Sequence, residues 1–201
     1  MPDLSIEQGF AGPVIGIDEA GRGPWAGPVT VAAAWLHPDA VAALPPGLDD
    51  SKKLSSRKRA DFHHILTSGP HLHALVSVPV GVIDRDGILR ATLDAMATAA
   101  ATLATMIREA GHGAVAQLLI DGNQMPRGLP APAQTVVKGD SLSLSIAAAS
   151  VIAKHERDQV MTALAAAHPG YGWETNMGYG TAAHREAMAR FGVTPSRAIR
   201  L

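Results

Sequence analysis

Four acidic residues stand where hard metal ions could be held. Asp18 and Glu19 follow the apolar run Val14-Ile15-Gly16-Ile17, and Asp121 follows the apolar stretch from Ala114 to Ile120. Asp140 comes after Gln134-Thr135-Val136-Val137, across Lys138-Gly139. Each acid is followed within three residues by a glycine or a serine. Carboxylates gathered at the ends of adjacent strands repel one another unless a cation neutralises them. Oxygen ligands of this kind suit Mg²⁺ or Mn²⁺. Two such ions about 4 Å apart would clamp the attacking and leaving oxygens of a phosphoryl displacement. Taken singly, each acid is more simply a turn or cap residue. The adjacent pair Asp18-Glu19 at the mouth of a glycine turn, with two more acids placed alike, favours the metal.

Other residues suit a polyanionic substrate. Gly21-Arg22-Gly23 lets the backbone approach a ligand and leaves amides free for phosphate or hydroxyl oxygens. With Ala26 it also fits a dinucleotide-binding pattern, but Pro24 and a strand-like stretch follow where a helix should start. Lys52 and Lys53 lie beside Ser51 in a loop suited to phosphate contact, although a solvated lead-in to a helix explains them equally well. Lys138 falls two residues before Asp140. Tyr179, between Gly178 and Gly180, would expose a ring able to stack on a sugar or base. No phosphate-binding P-loop and no Gly-x-Ser-x-Gly elbow occurs, so those two enzyme classes lack support. The nine histidines show no ligand spacing. His155-Glu156-Arg157-Asp158 reads as the solvated face of a helix, with Asp158 a spare carboxylate, and Trp25, Trp35 and Trp173 read as core.

The elements that must position these residues are legible as alternating strands and helices. Val14–Ile17 and 29–36 read as a strand hairpin, 37–50 as loop with Pro38, Pro45 and Pro46, and 71–79 as a third strand. Ser55 or Ser56 caps a helix running to Leu66. Leu89, Leu93, Met96, Ala100, Leu103 and Ile107 recur at helical spacing and define one buried face. Strands are expected at 114–120 and 134–137, a second long helix at 143–168, a loop at 169–177 and a last helix at 181–191. This order predicts an α/β fold with a mixed sheet.

Composition sets the outer limits. The 201 residues include no cysteine, which removes disulfides, thiolate metal sites and thiol nucleophiles together. Net charge is −1, so bulk charge gives no case for nucleic-acid binding. The distribution does: Lys52, Lys53, Arg57, Lys58 and Arg59 cluster against Asp61 alone, and Arg185, Arg190, Arg197 and Arg200 against Glu186 alone. An acidic start without an apolar core predicts no signal peptide, and no apolar run approaches the ~18 residues of a membrane span. A cytoplasmic protein with no membrane partner is expected, and a monomer is the default.

The sequence resembles the ribonuclease HII family, the bacterial type 2 ribonucleases H. The resemblance rests on Gly16 to Pro24 with Gly27-Pro28-Val29, on Asp50-Ser51-Lys52-Lys53-Leu54, and on Ile120-Asp121-Gly122-Asn123. It continues through Lys138-Gly139-Asp140, Ser145 to Lys154 with Arg157-Asp158, and Gly178-Tyr179-Gly180-Thr181 with His184. These stretches keep the family's order from residue 14 to about 197. The resemblance implies one ribonuclease H-like domain over 1–201: a central mixed β-sheet flanked by helices, with a catalytic core over about 13–168 and a helical C-terminal part over about 169–201. It implies hydrolysis of the RNA strand of RNA–DNA hybrids and nicking 5′ of single ribonucleotides in duplex DNA, the first step of ribonucleotide excision repair. Asp18, Glu19, Asp121 and Asp140 would be both catalytic residues and ligands of two Mg²⁺ or Mn²⁺ ions. The products would be 3′-hydroxyl and 5′-phosphate ends. Gly21, Arg22 and Gly23 would sense the 2′-hydroxyl, and Tyr179 would stack on the next sugar. Lys52, Lys53 and Arg22 would contact phosphates.

Two departures from the family pattern concern packing: His155-Glu156 in the long helix, and Asp84-Arg85-Asp86-Gly87, which lacks an expected asparagine. The short stretch before Asp18 argues against the sister type, ribonuclease HIII, and no sliding-clamp peptide is evident near Leu201. Two other classes stay open at this stage. One is a two-metal DNA nuclease such as a resolvase or an exonuclease. The other is a hybrid-binding protein with an inactive metal site.

Overall fold

A computed structural model describes residues 1–196, so Arg197 and Arg200 lie outside the described residues. Strands β1 (Val14–Ala20) and β2 (Val29–Trp35) pair antiparallel, Ile17 opposite Ala33. Two short segments, α1 (Pro38–Val41) and α2 (Ser56–Ser68), lead to β3 (Leu72–Val78), antiparallel to β2. Helices α3 (Val80–Asp86) and α4 (Ile88–Glu109) then cross to β4 (Gln117–Asp121), which pairs parallel to β1. β5 (Ala133–Val136) adds parallel to β4. The chain ends through α5 (Leu144–Ala167), α6 (Trp173–Asn176) and α7 (Ala182–Phe191). The sheet order β3-β2-β1-β4-β5 is the expected mixed α/β sheet.

Side-chain alternation along the strands separates two cores. Ile15 and Ile17 of β1, with Val29, Val31, Ala33 and Trp35 of β2, meet α3 and α4 on one face. Ala32 and Ala34 of β2 meet α2 and α5 on the other. Gly16 shares that second face, and its place is set by contact: a Cβ there would fall 2.1 Å from the main-chain carbon of Ser145. The first half of α5, Ser145 to Ala153, is buried on all sides. Ala147, Ala148, Ala149 and Ala153 pack there against β2 and α2, which accounts for part of the alanine-rich composition. Ser143 caps α5 through the main-chain amide of Ile146.

Several expectations shift. β1 extends to Ala20, so Asp18 and Glu19 lie inside the strand instead of after it. The segment 37–50 is not all loop: the His37 ring caps α1 at Asp39, and Pro38 occupies a first-turn position that needs no amide donor. Leu89 is 42 % exposed, and Ala91, Ala95 and Ala99 complete the buried face of α4 instead. The segment 169–177 contains α6, whose Trp173 packs with Tyr171, Ala187, Met161 and Ala26 in a small C-terminal cluster. Trp35 and Trp173 are core residues as expected, while Trp25 is only half-buried.

Candidate active site

The sheet brings the four acids together because β1 and β4 run parallel and adjacent. Asp18 and Glu19 close β1, Asp121 closes β4, and a 3-10 turn after β5 (Gly139–Ser141) carries Asp140. Lys138 enters that turn in the left-handed region at φ 58°, which reverses the chain, and its side chain is exposed. The Gly139 amide donates to Asp121 Oδ1 at 2.7 Å, locking the turn onto the end of β4.

The electrostatics of the cluster are those of an unbalanced negative site. Asp18 is 5 % exposed. Burial first, then the charges of Glu19, Asp121 and Asp140, push its carboxyl well above the usual range, although the Glu19 amide donates to it at 2.7 Å. Burial also raises Glu19, against the pull of Arg22, whose guanidinium lies 3.3 Å away. Asp140 is raised by burial and by Asp50 and Asp121, and Lys52 opposes the shift. Lys52 is itself raised: partial burial works against its charge, but Asp50, Asp18, Asp140 and Asp121 together outweigh it.

A hard divalent cation fits this donor set. All four side chains offer oxygen, and a cation would offset the burial and like charge that raise Asp18, Glu19 and Asp140. Among the described residues no three or more acidic or imidazole side chains are disposed so as to hold a metal ion as they stand. Asp18 and Asp121 each direct an oxygen to a main-chain amide.

The other expected residues divide. Gly21 (φ 105°), Arg22, Gly23, Lys52 and Tyr179 line one polar cavity of about 190 Å³ with Glu19, Ser51, Lys154 and Arg157. The Tyr179 ring is 48 % exposed and lies beside Gly23, whose Cβ would stand 3.4 Å from Tyr179 Cε1. Lys53 points elsewhere, to Asp49 Oδ1 and Ser141 Oγ at 3.0 Å each. Arg59 leaves the basic patch altogether. It is buried and binds the Ser51 and Leu54 carbonyls, which shapes the Lys52-Lys53 loop. A larger, mostly apolar groove of about 590 Å³ lies at the other end of β1, by Val14 and Trp35, and none of the acids lines it.

Two parts of the site were not expected from the sequence. Asp50 lies close enough to Asp140 to raise its carboxyl and so joins the acidic cluster. The turn His155–Asp158 is not a solvated face: Arg157 is 1 % exposed, and Asp158 binds Lys154 at 2.6 Å and Arg59 at 3.3 Å. A charged helical turn gives no periodicity signal when the chain covers it from a distant loop.

Residues 15–201 match the model of the family described as ribonuclease HII. The chain belongs to the ribonuclease HII family. It is 50 % identical to ribonuclease HII of Rhodospirillum rubrum over 97 % of this chain and 86 % of that one. It is 46 % identical to the Zymomonas mobilis protein of that name, over 94 % of this chain and 84 % of that one. The fold superposes on ribonuclease H2 of Pyrococcus horikoshii with a TM-score of 0.75 at 23 % identity, covering 92 % of each chain. It superposes equally well, at 0.75 and 23 % identity, on Bst-RNase HIII in complex with Mn²⁺, covering 93 % of this chain and 64 % of that one. The expected ribonuclease H-like fold is thereby shown. The chain is an endoribonuclease of a family that cleaves the RNA of RNA–DNA hybrids.

Proposed function

We propose that the chain nicks duplex DNA on the 5′ side of a single embedded ribonucleotide, as well as cutting the RNA strand of hybrids. The reading rests on one juxtaposition: the Gly21–Gly23 turn and the exposed Tyr179 ring share a cavity with Glu19 of the acidic cluster. A 2′-hydroxyl is what distinguishes RNA from DNA at a site. Main-chain groups of the glycine turn can approach a ribose closely enough to bond it. Tyr179 offers a flat face to the following deoxyribose and would favour DNA there. Lys52 and Arg22 place positive charge for the phosphates on either side, while Lys53, bonded to Asp49 and Ser141, is left a lesser part.

Asp18, Glu19, Asp121 and Asp140 would hold two divalent ions, Mg²⁺ or Mn²⁺. These would supply Lewis-acid activation of water and stabilisation of the leaving 3′ oxygen. Directed by these four carboxylates at the phosphate preceding the ribose, that chemistry would leave 3′-hydroxyl and 5′-phosphate ends. The ribose hydroxyl is recognised and does not attack, so the site needs no histidine base. The Mn²⁺ complex of the HIII neighbour supports the choice of metal class. The substrates are RNA–DNA hybrids and ribonucleotide-containing duplex DNA, and the working unit is a cytoplasmic monomer with no membrane partner. Among the described residues no helix is long and apolar enough to cross a membrane.

The test is strand cleavage of a DNA duplex carrying one ribonucleotide, with and without Mg²⁺. One metal-dependent nick 5′ of the ribonucleotide, absent from the all-DNA control, is expected. Equal cleavage of the control would replace the proposal with a generic two-metal nuclease. Binding without cleavage in either metal would leave a hybrid-binding protein.

A further inference from the structure

The two segments proposed to sense the junction come from opposite ends of the chain, and one buried side chain joins them. Arg157 of α5 donates from Nε to the Pro28 carbonyl at 3.0 Å and from Nη2 to the Ala26 carbonyl at 3.0 Å. It donates from Nη1 to the Met177 carbonyl at 3.1 Å. The first two acceptors belong to the loop that follows Gly21–Gly23, and the third immediately precedes Gly178-Tyr179. The loops also touch directly, since the Trp25 amide donates to the Gly178 carbonyl at 2.8 Å. The packing leaves no slack around the guanidinium. A Cβ on Gly21 would fall 2.3 Å from Arg157 Nε, and one on Gly178 (φ 83°) would fall 2.4 Å from the Ala26 carbonyl oxygen.

We propose that Arg157 is a positioning residue that sets the separation between the Gly21–Gly23 turn and Tyr179, and through it the preference for a ribose followed by a deoxyribose. This rests on the proposed roles of those segments. A guanidinium suits the task because its planar fork holds three carbonyls in fixed directions, which an ammonium cannot do. Reading two adjacent sugars at once requires that spacing to hold within a fraction of an ångström, and a misplacement of about 1 Å can cost on the order of 10²-fold in rate. Affinity comes mainly from phosphate contacts, of which only the one proposed for Arg22 lies in this turn, so the effect falls mainly on turnover.

The experiment compares the full chain with Arg157→Lys and Gly178→Ala in Mg²⁺. The substrates are a duplex with one ribonucleotide and a hybrid with a continuous RNA strand. Each variant's kcat on the single ribonucleotide is expected to fall about tenfold further than on the hybrid, with KM within about threefold. Mn²⁺ binding, followed by calorimetry, stays as in the unmodified chain. Guanidinium ion added to Arg157→Ala should restore part of the preference. Equal losses on both substrates, tracking a fall in melting temperature, would make Arg157 an ordinary core residue and overturn the proposal. So would unchanged preference in the folded variants. If Arg157→Lys does not fold, Gly178→Ala perturbs the same contact from the loop side and decides alone. An unmodified chain that does not discriminate ribose would overturn the reading of the site itself, and the proposal with it.

Discussion

Asp18 shows what the site costs the chain that carries it. Burial and three neighbouring carboxylates hold its carboxyl well above the usual range in the folded state. The unfolded chain imposes no such penalty, so between the ordinary carboxylate pKa and the raised folded value the native state binds more protons. Metal-free stability is therefore fully present in acid and is lost as pH rises through that window. Asp18→Asn should melt at a higher temperature than the unmodified protein in EDTA at pH 7. The difference should close near pH 4, and melting curves across pH would show it. Added Mg²⁺ should stabilise the unmodified chain more than the variant, because binding to the native state adds its own free energy. Asp121→Asn tests the neighbouring acid in its proposed role as a ligand. It should lower cleavage about a hundredfold or more while circular dichroism stays native, because it removes charge and keeps shape. Full activity in that variant would exclude Asp121 from the cluster.

At the scale of elements, the controlling contact is that of β1 with α5. β1 carries two of the acids, and α5 holds its register through backbone contact at Gly16. Gly16→Ala should destabilise by about 3 kcal/mol, since neither the strand nor the first turn of a capped helix can retreat from an added methyl group. Chemical denaturation measures the loss, and Gly9→Ala, where a Cβ meets nothing within 4 Å, serves as the control. The second half of α5 works differently. There Arg157 and Asp158 replace apolar packing with directed bonds to loops and to Arg59, which turns the helix into a frame for the cavity.

At the scale of the molecule, a net charge of −1 conceals an asymmetric field. Arg22, Lys52 and Lys154 line the cavity beside the acids, and Arg57 and Lys58 extend the positive surface along exposed α2. A polyanion held this way releases counterions, so its affinity should fall steeply with salt. The slope of log K against log salt should drop by about one in Lys52→Ala, whose ammonium faces the cluster. Lys53→Ala should change it less, because that side chain is bonded to Asp49 and Ser141. A filter-binding series in Ca²⁺, from low to physiological salt, separates the two.

The amino-acid sequence by itself singled out the four acids as candidate metal ligands, the glycine turn and the succession of strands and helices that makes a mixed sheet. Those features are local: a run of apolar residues ending in an acid, or glycines in series, carries its meaning within a few positions. The tertiary structure alone decided which charges belong together. Asp50 meets Asp140, Arg59 folds under its own loop, and Lys52 faces the acids while Lys53 turns away. Arg157 looks like the solvated side of a helix until loops from residues 26–28 and 177 close over it. Burial of a charge depends on what distant chain supplies to meet its hydrogen bonds, and no spacing along one segment records that.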